Sequence, residues 1–200
     1  MDYYARKLGI RFSRPFERVM IFIDGGYLRG LCKKFVGHDN VNWEKLCWRL
    51  VYAFNTFEGK PFNANLIRVY YYDAIVDKAH SDYDTQRKYF DHIGDQQAYT
   101  VRLGEVVQSS KKGLRQKGVD VLMAIDVLSK AYENQYDAGV FLMGDRDFQP
   151  LIEAVKHTGK KTVGVYNIRS CADDLARSFD MRLFVHENAI REWTYKRGKS

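Results

Sequence analysis

An α/β fold, with a mostly parallel central sheet and helices on both faces, follows from three features of the sequence. Two short, unbroken apolar runs, VMIFI at 19–23 and AGVFLM at 138–143, have the length and composition of strands covered on both sides. Helix-forming stretches separate these runs from four further strand-like segments, so strands and helices alternate along the chain. With 200 residues, three prolines and no low-complexity stretch, there is no composition break at which to divide the alternating region into two domains. A chain of this length buries roughly 70% of its unfolded surface, enough to fold without disulfide or metal staples.

The elements follow in order. The first apolar strand ends at Asp24-Gly25-Gly26, and a helix is expected from Tyr27. Asn42 is placed to cap a second helix, WEKLCWRLVYAF, whose Trp43, Leu46, Leu50 and Phe54 recur at helical spacing. Leu66 to Tyr72 reads as a strand on its β-branched and aromatic content, and Tyr70, Tyr71 and Tyr72 are expected in the core and on the sheet faces. Ser81 is placed to cap a polar helix reaching about Gln97. A third strand spans Val101 to Val107 and leads into a basic loop. A long helix covers Val119 to Asn134, and the second apolar strand runs into Gly144-Asp145. Phe148 to His157 is expected to be helical, with Gly159 at its C-terminal end. The pattern repeats with a strand at 162–166, a short helix at 172–178 and a last strand at 182–185. The expected organisation is a basic N-terminal extension at 1–18, carrying Arg6, Lys7, Arg11 and Arg14. A domain follows at 19–185, then a C-terminal helix and basic tail at 186–200 with Lys196, Arg197 and Lys199.

Charge and cysteine usage narrow the function classes. The 32 Lys and Arg against 25 Asp and Glu leave +7, a surplus that favours polyanionic partners. Cys32, Cys47 and Cys171 are odd in number and form no C-x-x-C pair, so neither a disulfide framework nor a thiolate zinc site is suggested and a reducing cytoplasm is expected. Charges near the N-terminus and the lack of an 18-residue apolar stretch argue against secretion and membrane insertion. His38, His80, His92, His157 and His186 are scattered and match no triad or metal spacing.

The acids carry the strongest functional signal. In α/β sheets ligands bind outside the carboxyl ends of the strands. Asp24 directly follows the first apolar strand, and Asp145 stands just beyond the second. Asp147 is two residues further on, and Asp120 falls in the first turn of the helix that brings the chain back to the sheet. Each alone is an ordinary turn or helix-start residue. Together at one sheet edge they would repel one another unless a cation lay among them, and an oxygen-only set suits Mg²⁺ or Mn²⁺ rather than zinc. Asp126 is a fifth acid, in the apolar stretch VLMAIDVL; it either faces the same pocket or pairs with a basic residue, and it sits about 120° round the helix from Asp120. Upstream of Asp120, Lys111, Lys112, Arg115 and Lys117 form a loop without acids, placed either to hold a phosphate backbone or simply to face solvent.

The segment IFIDGGYL, followed by QKGVDVLMAIDVLSKAYENQYDAGVFLMGDRDFQPLIEAVKHTGKKTVGVY, resembles the NYN family, in its LabA-like branch, within the PIN-like nuclease superfamily. Three motifs carry the resemblance in order: a strand ending in IDG, KGVD opening a helix, and GDxDF after a strand. The resemblance implies a PIN-like three-layer sandwich, a divalent metal site and ribonuclease activity. It makes Asp24, Asp120, Asp145 and Asp147 the catalytic and metal-binding carboxylates and RNA the partner; Asp126 stays a possible metal ligand on its helix position alone. Homo-oligomer formation is left open. Hydrolysis of RNA phosphodiesters with Mg²⁺ or Mn²⁺ is the leading expectation. The rival is a module that keeps the acidic pocket but only binds RNA or protein. An aspartyl phosphatase is disfavoured, because Asp24 lacks a second Asp two residues on.

Overall fold

The computed structural model describes residues 16–57, 64–109 and 113–195. The strands are β1 (Glu17–Asp24), β2 (Ala64–Ile75), β3 (Tyr99–Ser109), β4 (Gly113–Lys117), β5 (Ala138–Leu142), β6 (Lys161–Tyr166) and β7 (Met181–Phe184). The helices are α1 (Gly25–Val36), α2 (Trp43–Phe57), α3 (Tyr83–Gly94), α4 (Val119–Tyr132), α5 (Gln149–His157), α6 (Asp173–Ser178) and α7 (Glu187–Glu192), with a 3₁₀ turn at Arg146–Phe148.

The strands form one sheet in the order β4-β3-β2-β1-β5-β6-β7, parallel except for the antiparallel β3–β4 pair. From β1 the chain steps outward to β2 and β3, then α4 carries it back across so that β5 lands on the other side of β1. The strand order therefore reverses between β1 and β5, and in open α/β sheets the carboxyl ends at such a reversal are where ligand crevices form.

Alternation along β1 separates two cores. Val19, Ile21 and Ile23 face α1, α2, α3 and α7, where Leu28, Leu46, Leu50, Phe90 and Ile190 meet them. Met20 and Phe22 face α4, α5 and α6, against Met123, Val127, Ile152 and Leu175. Both faces of β1 are thus dry, which is why VMIFI carries no polar residue. Tyr71 and Tyr72 are fully buried and Tyr70 nearly so, on alternating faces of β2. The expected cap at Asn42 is present: its Oδ1 accepts the Lys45 N–H at 2.9 Å.

Three expectations change. The polar helix opens at Tyr83 rather than being capped by Ser81: a turn in which the Tyr83 N–H donates to the His80 carbonyl precedes it, and its first long bond runs from the Gln86 N–H to the Asp82 carbonyl. β2 continues three residues past Tyr72, carrying Asp73 into the sheet. The basic stretch is not simply a loop. β3 continues beyond its pairing with β2, which ends at Ile75 opposite Glu105, and residues 105–109 pair instead with β4. The resulting hairpin projects past the carboxyl edge of the sheet and places Arg115 and Lys117 on its second strand, both exposed. Lys111 and Lys112 lie outside the described residues.

Candidate functional site

Each of the main acids owes its place to a chain reversal. At the end of β1 the backbone turns directly into α1, and Asp24 caps that helix by accepting the Tyr27 N–H on Oδ1 at 3.1 Å. Gly25 makes the turn possible. A Cβ there would lie 2.5 Å from both Asp73 Oδ2 and the Tyr71 hydroxyl, so any side chain would push α1 off the sheet. After β5, Gly144 passes beneath the Tyr27 ring and the Ser170 carbonyl, where a Cβ has no room. Asp145 then starts the 3₁₀ turn and accepts the Asp147 N–H on Oδ1 at 3.1 Å. Asp120 stands in the first turn of α4, at the foot of the β3–β4 hairpin.

All four acids therefore lie at the carboxyl edge, around the β1–β5 reversal. Electrostatics shows which of them are neighbours. The Asp24 carboxyl is raised above the usual carboxylate range, first by burial and then by the charge of Asp120. Asp120 is raised by desolvation and by the charges of Asp145 and Asp147, while Arg115 of the hairpin opposes the shift. Asp120 is thus the link between the Asp24 side and the Asp145–Asp147 side. Among the described residues neither Asp120 nor Asp147 has a hydrogen-bonding partner for its carboxylate, and no three acidic, imidazole or thiol groups are drawn closely enough together to hold a metal ion. The edge is a set of mutually repelling carboxylates rather than a closed cage. Its chemistry fits a hard divalent cation: every donor is oxygen, and both the desolvation that chiefly raises Asp24 and Asp120 and the smaller repulsion from neighbouring acids would be offset by a cation.

This makes a pH prediction. A carboxyl raised in the folded state holds its proton more tightly there than in the unfolded chain, so its ionisation destabilises the fold as pH rises through the raised value. The Asp24→Asn variant should therefore gain melting temperature over the parent protein as pH climbs from about 4 towards 7 in EDTA, starting from the ordinary carboxylate range. Asp137 and Asp180 are lowered, by Arg18 and by Thr162 and Lys156, and contribute the opposite slope. They do so equally in both proteins and cancel in the difference. A difference independent of pH would refute the raised Asp24 carboxyl.

Asp126 has another setting. Its carboxylate accepts from Arg102 Nε at 2.8 Å, Lys130 Nζ at 3.2 Å and the Tyr72 hydroxyl at 3.3 Å, so both oxygens are engaged by cations on the α4 side of β2 and β3. An acid that sequence reasoning passed over, Asp73, lies at the edge instead. It is fully buried and paired with Arg29 from α1. The signal that could have found it is an Asp inside YYYDAI, a stretch too apolar to leave a carboxylate without a partner.

An open, largely parallel sheet with acidic residues gathered at its strand-order reversal defines an α/β protein of the doubly wound kind. The NYN domain model matches residues 18–187, and the chain belongs to that family. No curated protein matches it. Among solved structures it is similar to a protein of unknown function, VPA0982, from Vibrio parahaemolyticus RIMD 2210633, at 18% identity and a TM-score of 0.62, covering 88% of this chain and 97% of that one. That likeness concerns the fold. A putative oxidoreductase from Parabacteroides merdae ATCC 43184 aligns at 12% identity with a TM-score of 0.29, over 85% of this chain and 31% of the other.

Proposed function

We propose that the protein is a divalent-metal-dependent ribonuclease that hydrolyses RNA phosphodiester bonds at the carboxyl edge. The observation that carries this reading is the grouping of Asp24, Asp120, Asp145 and Asp147 around the β1–β5 reversal, where Asp24 and Asp120 are raised despite the opposing charges of Arg29 and Arg115. Family membership supports it, since the NYN domain is a branch of the PIN-like nucleases. These four side chains would hold Mg²⁺ or Mn²⁺, which supplies water activation and charge neutralisation at the scissile phosphate. The chain does the rest. Asp24 and Asp145 are each fixed through one oxygen to a backbone N–H, which orients the other oxygen without side-chain freedom. Asp120 and Asp147 are free to orient water or complete the coordination. The overhanging hairpin brings Arg115 and Lys117 towards a polyanion, offsetting the repulsion between phosphates and the acids.

The test is incubation of the purified protein with labelled single-stranded and structured RNA in Mg²⁺ or Mn²⁺. Cleavage abolished by EDTA supports the reading. Cleavage that survives EDTA, or none with either metal, rejects it, and the second result together with retained RNA binding would favour a non-catalytic RNA-binding module. The hairpin has its own expected result. Replacing Arg115 and Lys117 by Ala should make the dependence of log affinity on log salt shallower by about 1.4, from two lost phosphate contacts on a single strand. An unchanged slope assigns both side chains to solvent.

A further inference from the structure

One cation already stands beside the acidic edge. Arg29, one turn into α1, directs Nη1 to Asp73 Oδ2 and to the Tyr71 hydroxyl oxygen, the latter at 3.3 Å. Asp73 itself is saturated. Its Oδ2 also accepts from the Tyr71 hydroxyl at 2.8 Å, and its Oδ1 accepts from the Ala74 N–H at 2.8 Å and from Gln116 Nε2 at 3.2 Å. A buried carboxylate with every lone pair engaged does not act as a base or join the neighbouring acids; it holds the guanidinium in one orientation.

That orientation leaves part of the fork unused. The Arg29 side chain keeps 25% of its exposure, and among the described residues Nε and Nη2 meet no protein acceptor. The group lies close enough to the acidic edge for its charge to lower the Asp24 carboxyl against the larger effect of burial. Gln116 spans the gap from the hairpin. While its amide nitrogen donates to Asp73, its Oε1 stands 3.7 Å from where a Gly26 Cβ would be, and Asp24 Oδ1 stands 3.3 Å from the same point. Gln116 and Asp24 therefore border the space left by the missing Gly26 side chain, and Gln116 joins that space to the Asp73–Arg29 pair. A guanidinium with one nitrogen held by a carboxylate and its other N–H groups without a protein acceptor is preorganised for hydrogen bonds to a phosphate, which a flexible surface Lys is not.

We propose that Arg29, oriented by Asp73, forms a phosphate subsite that holds a backbone phosphate of single-stranded RNA beside the bond presented to the acidic edge. The subsite rests on the nuclease reading for its polyanion and for the bond that lies beside it. Arg29 is the contact residue and Asp73 the positioning residue.

The experiment measures the affinity of a labelled single-stranded RNA against salt concentration in EDTA, where nothing is cut, and KM for cleavage in Mg²⁺. Arg29→Gln is made together with Asp73→Asn, so that no buried carboxylate loses its partner, and the melting temperature of the variant is recorded. The salt slope should become shallower by about 0.7, for one single-strand phosphate contact, and KM should rise several-fold with a smaller change in kcat. Arg29→Lys, which keeps the charge and the pairing with Asp73, should restore the slope and serves in place of the double variant if that one does not fold, with weaker binding expected from loss of the fork. A wild-type slope and KM in both variants overturns the proposal. Binding through Arg29 without any cleavage sinks the nuclease reading alone. Cleavage with a slope indifferent to Arg29 sinks the subsite alone, and wild-type protein that neither binds nor cuts RNA sinks both.

Discussion

Replacing Asp145 by Asn is expected to lower metal-dependent RNA cleavage by about two orders of magnitude or more. Loss of groups that merely support a metal ligand costs about 10- to 100-fold, and removing a direct ligand's charge should exceed that. The substitution keeps the volume of the side chain, and its Oδ1 can still accept the Asp147 N–H that closes the 3₁₀ turn. The fold should therefore survive. In EDTA the variant should match or exceed the parent's stability, because one of the charges that raise Asp120 is gone. RNA affinity in EDTA should be retained or improved for the same reason, since the phosphates face one carboxylate fewer. The pair of assays separates the roles of the residue. A loss of cleavage accompanied by a collapse in melting temperature would make Asp145 structural, and unchanged cleavage would remove it from the site.

The largest stability effect should come from Phe22→Ala. Phe22 is fully buried in the central strand, stacked on Tyr70 and Phe141 at centroid distances of 5.7 and 5.3 Å and met edge-on by Tyr136 at 5.6 Å. Removing such a ring costs about 3–5 kcal/mol in transfer and cavity terms, and at about 2–4 °C per kcal/mol for a chain of this size the melting temperature should fall by roughly 6–20 °C. Trp48→Ala is the contrast. That ring is 56% exposed on α2, stacked on Tyr52 and beneath Arg49, and its loss should move the transition little. Equal shifts in the two variants would show that the sheet's second face is not the packed core described here. Phe22 also sits two residues before Asp24, so cleavage by the folded fraction of Phe22→Ala reports how far the rigidity of β1 holds the acid in place.

Much of this architecture was legible from local pattern. The runs VMIFI and AGVFLM announced strands covered on both faces because a buried strand admits no polar alternation, and they are β1 and β5, side by side at the centre of the sheet. Asp24 and Asp145 could be placed at strand ends for the same reason: a carboxylate directly after an unbroken apolar run marks where the chain leaves the dry interior. The stretch 113–117 could not be read in this way. Gly-Leu-Arg-Gln-Lys has neither apolar alternation nor turn chemistry to set it apart from a loop, and it is a strand because β3 overshoots β2 and offers it unpaired backbone groups. Nor could local pattern decide between the alternatives for Asp126, whose partners Arg102 and Tyr72 arrive from two other strands. Asp73 and Arg29 stand 44 positions apart in the chain. Only the parallel pairing of β1 with β2, which sets Asp24 beside Tyr72, brings the start of α1 over Asp73 and converts a buried acid and a helical arginine into one ion pair. Periodicity and burial are properties of neighbouring residues and show in any short window. Strand order and the pairing of charges depend on contacts between distant segments, whose energies exist only once the sheet has formed.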